Sequence, residues 1–222
     1  MIRDLRSGFI SVIVFTILLG LGYPLLVTGI SQGIFPGKSN GSLIKRNGVV
    51  VGSSLIGQQF YEPVIGKNGK QVVVKGVAQT QPDPRYFQTR PSSTSDNDAA
   101  TAFSNLGPNG KTTLTAFQGY IQTYLAFNMG PNEKPYDPAV TKASEIPVDA
   151  VSDSASSVDP NISVANARIQ AYRIAAVRHL SLGAVDALVA KYTTARSLGF
   201  LGEPGVDVLN INLALDRLSG SK

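Results

Sequence analysis

The chain opens with Arg3, Asp4 and Arg6, and then charge disappears until Lys38. Inside that gap, GFISVIVFTILLGLGYPLLVTGI (8–30) is almost wholly apolar. About 20 such residues cross a hydrocarbon core of roughly 30 Å, so the stretch is long enough to span a bilayer. A secretory signal carries a shorter apolar region, about 7–15 residues, ending at a small-residue cleavage site, and no A-x-A lies nearby. The pattern predicts an uncleaved transmembrane helix over 8–34, a short tail over 1–7, and a soluble domain over 35–222. Thr16 with Gly20, and Gly29 with Gly33, make small-xxx-small pairs of the kind that let helices approach closely in lipid. Pro24 sits inside the span. Gly and Pro are frequent in membrane helices in any case, but we read the spacing as packing against a partner helix.

Beyond Ser39 the periodicity changes. Short apolar runs (SLI, GVVVG, IGQQF, QVVV) are broken by glycine up to about Lys75, and Asn47-Gly48 between SLIKR and VVVG is a hairpin signal. The segment QPDPRYFQTRPSSTSDND (81–98) is polar and proline-punctuated, hence mostly loop. Residues 112–129 place Leu114, Phe117, Ile121 and Leu125 on one helical face. Residues 130–148 are loop-like. A second helix starts near Val164 with Ser163 as N-cap. A third covers GAVDALVAKYTTARSLG, with Gly199 as its C′ glycine. The tail VDVLNINLALDRL fits a short strand turning into a helical end. Mixed elements without an internal repeat point to a single α+β domain.

Composition narrows the chemistry. The 222 residues include no cysteine and one histidine, His179. That removes disulfides and thiolate metal sites and argues against a zinc site. The net charge is +5 with a sequence pI near 9.5, suited to anionic lipid or an acidic partner face. No block of five or six basic residues exists, which argues against nucleic acid. Arg3, Arg6 and the amino terminus flank one side of the apolar stretch, and Lys38, Lys45 and Arg46 the other, so the positive-inside count is close to a tie. The very short tail, with arginines against the helix, favours a cytoplasmic N-terminus and an extracytoplasmic domain.

Candidate catalytic motifs fall short. NLGPNGKTT (105–113) carries the Gly110-Lys111-Thr112 end of a P-loop, but the first glycine should stand at 105, where the chain has Asn105. Its flank DNDAATAFS is also polar, not an apolar strand. The bland reading is a turn. In SDSASSVDPNIS (152–163) a serine nucleophile would need His179 as base, and no G-x-S-x-G elbow is present. We read this segment as a capping loop. Asp96 and Asp98 sit in a polar loop without a calcium-binding pattern. Arg168, Arg173 and Arg178 spread around one helix, with Arg173 facing inward as a structural tie to a carboxylate or carbonyls. Tyr86 and Phe87, near Arg85 and Arg90, read as core aromatics beside a loop and not as a stacking platform.

Six ordered blocks then carry a resemblance. GSLI (41–44) with VGSSLIGQQF (51–60), YFQTRPS (86–92), SNLGP (104–108), SASSVDPNIS (154–163), ARIQAYRIA (167–175) and LGEPGVDVLNINLALD (201–216) resemble the C subunit of the Kdp-type high-affinity potassium-transporting P-type ATPase. The likeness covers nearly the whole chain. Ser157-Val158 replace the usual Gly-Leu, Asp207 stands where asparagine is typical, and the run 66–85 is insertion-like. The P-type catalytic sequence D-K-T-G-T is absent.

The resemblance implies a non-catalytic accessory subunit in a bacterial inner membrane, with no catalytic residue, metal or cofactor of its own. Its partners would be an ATP-hydrolysing pump subunit and a potassium-channel-like subunit. The family's C subunit is described as stabilising the assembly and as a catalytic chaperone that raises the pump subunit's ATP affinity. ATP would then be met only through the partner, with direct contact left open. Carried over from the matching blocks, Arg90, Asn105, Asp159, Arg173, Asn210 and Asn212 are candidates for a subunit interface or for fold-maintaining hydrogen bonds. Two other classes stay open: a membrane-anchored extracytoplasmic serine hydrolase and a free-standing ligand-binding module.

Overall fold

In the computed structural model, residues 2–94, 100–130, 133–140 and 142–218 are described. Asp96 and Asp98 lie outside them. Two compact units divide the chain, Met1–Ser53 and Ser54–Lys222, and each is taken by itself.

The first unit is dominated by one continuous helix, Ile2–Ile34, long and apolar enough to cross a membrane. It begins earlier than the apolar stretch, running through Arg3, Asp4 and Arg6, since charge at a terminal turn does not interrupt helical hydrogen bonding. Its ends are α-helical, α1 (Ile2–Phe15) and α2 (Tyr23–Ile34), and the middle, Thr16–Gly22, is π-helical. Pro24 explains the place of this change. A proline inside a helix lacks its N–H and presses on the carbonyl four residues earlier, and a widened turn just upstream relieves the clash. A short helix α3 (Pro36–Ser39) follows, and then the hairpin of β1 (Leu43–Arg46) and β2 (Val49–Ser53). Asn47 and Gly48 carry φ 52 and 81, the pair of positive values a type I′ turn requires.

The second unit is a mixed α+β domain. A two-stranded ribbon, β3 (Tyr61–Pro63) with β6 (Thr80–Pro82), carries a second hairpin, β4 (Val73–Val74) with β5 (Val77–Ala78). Helix α4 spans Lys111–Phe127. Strand β7 (Asn161–Ser163) leads into α5 (Val164–Arg178), followed by α6 (Leu182–Lys191), β8 (Thr193–Thr194), β9 (Gly205–Asp207) and α7 (Val208–Leu218). The three strands form one antiparallel sheet in the order β7-β9-β8.

Helix α5 is the centre of the domain. Ser163 caps it as expected, its hydroxyl accepting from Asn166 N at 3.0 Å. One side packs Ala167, Ala171 and Ile174 into a core with Phe87, Val185, Ile211 and Leu215. Another side presents Ile169 to a second core with Val140, Ile146 and the Phe117, Ile121 and Leu125 side chains of α4. Covered from both sides, α5 has no single apolar stripe.

Two expectations are corrected. Leu114 does not share the buried face of α4; it is 60% exposed, because Tyr120 and Tyr124 join that face and rotate it away from the helix start. The third helix ends at Lys191, not near Gly199. Thr193 and Thr194, β-branched and strand-prone, pair with Val206 and Gly205 of β9. Gly199, at φ +81, instead closes a tight turn in which Ser197 pairs with Leu201.

Candidate functional site

The site is built around the segment 83–91, which has no regular partner strand among the described residues and is held by side chains. Phe87 is fully buried, which anchors the segment by roughly 1.5–3 kcal/mol. Its backbone N–H donates to Asn212 Oδ1 and its carbonyl accepts from Asn212 Nδ2, both at 2.9 Å. The next residue is held from the other side: Gln88 N donates to Gln170 Oε1 at 2.8 Å, and Gln88 O accepts from Gln170 Nε2 at 3.1 Å. One side-chain amide from α7 and one from α5 thus replace the two neighbouring strands of a sheet.

Gln170 belongs to a polar stripe along α5, Asn166, Gln170 and Arg173, spaced i, i+4, i+7 and at most 2% exposed. Asn166 meets Asp149 Oδ2 at 3.1 Å and accepts from the Tyr124 hydroxyl at 2.9 Å. Arg173, at 0% exposure, donates to Tyr86 O (3.1 Å), Pro84 O, Asn128 Oδ1 (3.1 Å) and Gln170 Oε1 (2.9 Å), and lies 4.2 Å from the Phe127 ring centre. Burial pushes its pKa down to about 9, which leaves it charged at neutral pH. Among the described residues no carboxylate pairs with it, and carbonyl oxygens accept from its guanidinium, one of the two arrangements expected from sequence.

At the near end of the segment, Tyr86 donates to Asp216 Oδ1 at 2.8 Å, Arg178 reaches the same oxygen at 3.3 Å, and the Arg178 guanidinium lies 4.5 Å from the Tyr86 ring centre. Burial, aided by the bond to Asp216, raises the Tyr86 pKa. At the far end, Arg90 reaches Asp159 Oδ2 at 3.4 Å and Asp153 O at 3.0 Å. That ion pair is partly exposed, and such pairs contribute at most about 1 kcal/mol, so its use is positional. The segment and α4 together wall a cleft of about 730 Å³, lined by Gln59, Tyr61, Arg90, Tyr120 and Phe127 among others. An arginine, aromatic faces and amides there can hold a polar chain or a flat group by hydrogen bonding and stacking.

The six carried-over candidates separate by place. Arg173 and Asn212 are fully buried and spend their polar groups inside the domain. Arg90, which lines the cleft, pairs with Asp159. Asn210 is half-buried and bonded to Asp207, which caps α7 by accepting from Asn210 N at 2.9 Å and Asn210 Nδ2 at 2.8 Å. Asn105 stands apart, exposed and at φ 52, in the loop before α4. That loop answers the P-loop question: Gly110 N bonds Gly107 O at 3.1 Å, a turn leading straight into Lys111.

The site roles of Gln170, Asn166 and Gln88 escaped the sequence reading. For the two on α5 the signal was present: with Arg173 they make three polar residues at one-face spacing on an otherwise alanine- and isoleucine-rich helix. Ser157, where the resemblance expects glycine, keeps a positive φ of 61. Its hydroxyl holds the geometry by donating to Ala102 O at 2.7 Å and accepting from Ser93 N at 2.9 Å. Gly57 makes a close approach beside it: a Cβ there would stand 2.4 Å from Asp159 O. His179 terminates α5 in a left-handed conformation and is exposed. Ser163 caps the opposite end of this 15-residue helix, about 22 Å away at 1.5 Å per residue. Ser152 and Ser157 spend their hydroxyls on Val148 O and Ala102 O.

In the membrane-length helix, Thr16 and Gly20 fall in the π-helical part, and a Cβ at Gly29 or Gly33 would meet nothing within 4 Å.

Comparison with known proteins places this architecture. The family model for the K+-transporting ATPase, c chain, matches residues 5–217. The potassium-transporting ATPase KdpC subunit of Mycobacterium tuberculosis (strain H37Rv) is 41% identical over 218 residues, covering 97% of this chain and 99% of that protein. The subunits of the same name from Methylococcus capsulatus and Acidobacterium capsulatum are 40% and 43% identical, covering 98% and 97% of this chain and 100% and 99% of their own.

Proposed function

The chain belongs to the K+-transporting ATPase C-chain family, and from that premise we propose that it is the accessory subunit of an ATP-driven potassium-uptake complex. In this reading it hydrolyses nothing itself. A separate pump subunit hydrolyses ATP and a channel-like subunit conducts potassium, while this chain stabilises their assembly. The observation that carries the reading is the likeness, over nearly the full length of both chains, to relatives bearing that subunit name.

The helix Ile2–Ile34 anchors the chain in the bacterial inner membrane, N-terminus cytoplasmic, with the domain outside. Its small residues Thr16, Gly20, Gly29 and Gly33 form the surface on which a partner helix packs. The domain meets its partners through the exposed or half-buried candidates Arg90, Asp159, Asn105 and Asn210, while Arg173 and Asn212 hold the domain together from within. The chain also acts as a catalytic chaperone, raising the pump subunit's affinity for ATP. With the domain outside the membrane, that effect is a coupling free energy passed through the assembly; a tenfold change in ATP affinity corresponds to about 1.4 kcal/mol.

The test is gentle solubilisation from the native membrane, identification of co-purifying chains by mass, and ATP titration of the complex with and without this subunit. A large P-type ATPase chain and a multi-span chain should co-purify, and removal of this subunit should raise the apparent KM for ATP. A chain that emerges alone would sink the subunit reading. Co-purification with an unchanged KM would leave stabilisation and remove the chaperone role.

A further inference from the structure

The insertion-like run 66–85 plays no part in the proposed subunit role, yet it is folded. Strands β3 and β6 pair from Tyr61 with Pro82 to Pro63 with Thr80. The ladder then continues through Val64 N to Gln79 O at 3.0 Å. There the ribbon branches. One tip turns at Gly66–Gly69, with Gly66 N donating to Lys70 O at 2.9 Å and Lys70 N to Asn68 Oδ1 at 3.1 Å. The other closes Val74 against Val77 across Lys75-Gly76, at φ 50 and 81.

These tips are apolar and basic together. Val73, Val74 and Val77 are 58%, 50% and 63% exposed, and Ile65 is 57% exposed. Directly paired residues share a face of a ribbon, so Val74 and Val77 make one apolar surface. Lys67, Lys70 and Lys75 are exposed beside them, and none has a carboxylate partner among the described residues. No Asp or Glu occurs between Glu62 and Asp83. Lysines by themselves are the usual guard on an open strand edge, but a row of bare valines next to them undoes that protection. Valines that enter an acyl boundary, with ammonium groups left at the level of phosphates, fit a lipid surface.

We propose that the double hairpin, residues 65–78, seats on an anionic bilayer surface. The inference rests on the membrane-anchored reading above. Residues 35–60 alone separate the helix end at Ile34 from β3, so the contact is intramolecular once the helix is inserted, and a weak affinity is enough. Each lysine brought to an anionic surface strengthens the contact about five-fold, and three do so about a hundred-fold, an effect that salt screens.

The chain contains no cysteine, so single labelling sites are clean. The full chain would be reconstituted in nanodiscs carrying brominated acyl chains, with or without phosphatidylglycerol. A fluorophore would be placed at Val74→Cys, with Val14→Cys in the helix and Gln118→Cys on α4 as references. The expected result is quenching at position 74 in phosphatidylglycerol discs well above that at 118. It should fall several-fold in zwitterionic discs, at about 0.5 M salt, and in the Lys67→Glu/Lys70→Glu/Lys75→Glu variant. Quenching at 14 with none at 74 overturns the ribbon contact and leaves the anchor standing. Quenching at neither position overturns both. Shielding of position 74 only when other subunits are present, with bromine never reaching it, assigns the ribbon to a protein interface and overturns the lipid contact.

Discussion

The helix Ile2–Ile34 and helix α5 have exchanged the usual environments of their side chains. Leu18, Leu19 and Leu25 are 55%, 63% and 68% exposed, whereas Arg173 and Asn166 are 0% and 1% exposed. Both arrangements follow from what each residue needs as a neighbour. A helix satisfies its own backbone groups, so an apolar one asks only for an apolar surrounding, which a bilayer provides. A buried guanidinium needs carbonyls at the ends of its N–H bonds, and no solvent can replace them there. The first region is therefore legible from composition alone, and the second depends on two distant segments converging on one side chain of α5.

The largest test removes the convergence. Arg173→Ala would leave Pro84 O, Tyr86 O and Asn128 Oδ1 without their donor, and Gln170 Oε1 with Gln88 N alone. It should cost about 4 kcal/mol or more, since each unpaired buried group costs about 1–3 kcal/mol. Arg173→Lys keeps the charge but not the planar fork and should lose about 2–3 kcal/mol. Urea unfolding of the full chain in mild detergent measures both. A loss under about 1 kcal/mol for the alanine variant would mean that water reaches those carbonyls and that the interior of the domain is not closed to solvent there.

Next in size is Asn212→Ala, which strands the N–H and C=O of Phe87 and should cost about 2–3 kcal/mol in the same assay. Smaller again is a pH effect. Tyr124 is mostly buried, and its hydroxyl donates to Asn166 Oδ1 at 2.9 Å; burial pushes its pKa upward. The unfolded tyrosine loses its proton near pH 10 while the folded one keeps it. Above about pH 10 the unfolded state therefore binds fewer protons, and stability falls as pH rises. The contribution is fully present below that pH. Tyr124→Phe should cost about 1 kcal/mol at neutral pH and flatten the alkaline slope by up to about 1.4 kcal/mol per pH unit. An unchanged slope would show that the hydroxyl is reached by water.

The smallest effect on stability is predicted in the apolar helix. A Cβ at Gly29 would meet nothing within 4 Å, so Gly29→Leu should shift domain unfolding by less than about 0.5 kcal/mol. Co-purification of partner chains should nevertheless drop, because a leucine prevents close helix approach. Unimpaired assembly would remove Gly29 from the packing surface.

Local signals were sufficient where a residue's conformation depends on its immediate neighbours. Asn47-Gly48 announced a hairpin, Ser163 a helix start, and Val206–Leu218 a strand passing into a helix, and all three are found. They failed where a distant strand competed. Residues 193–194 continue a helical pattern on paper, but β9 offers them backbone hydrogen bonds from a dozen residues further along the chain. Leu114 failed similarly, since periodicity names a face without saying where the opposing core begins. The candidate residues were found mostly as single letters, while their pairings were not.

Sequence alone determined the membrane-length helix, the α+β character and the family, because these rest on composition, short-range periodicity and ordered blocks of residues. Only the tertiary structure decided that Arg173 and Asn212 work from inside, that Gln88 and Gln170 share a bond pair, and that Arg90, which lines a cleft, pairs with Asp159. Those facts depend on hydrogen bonds between residues as much as 125 positions apart. A hydrogen bond is set by distance and direction to within a few tenths of an ångström and a few tens of degrees, and nothing in the residue types themselves carries that geometry.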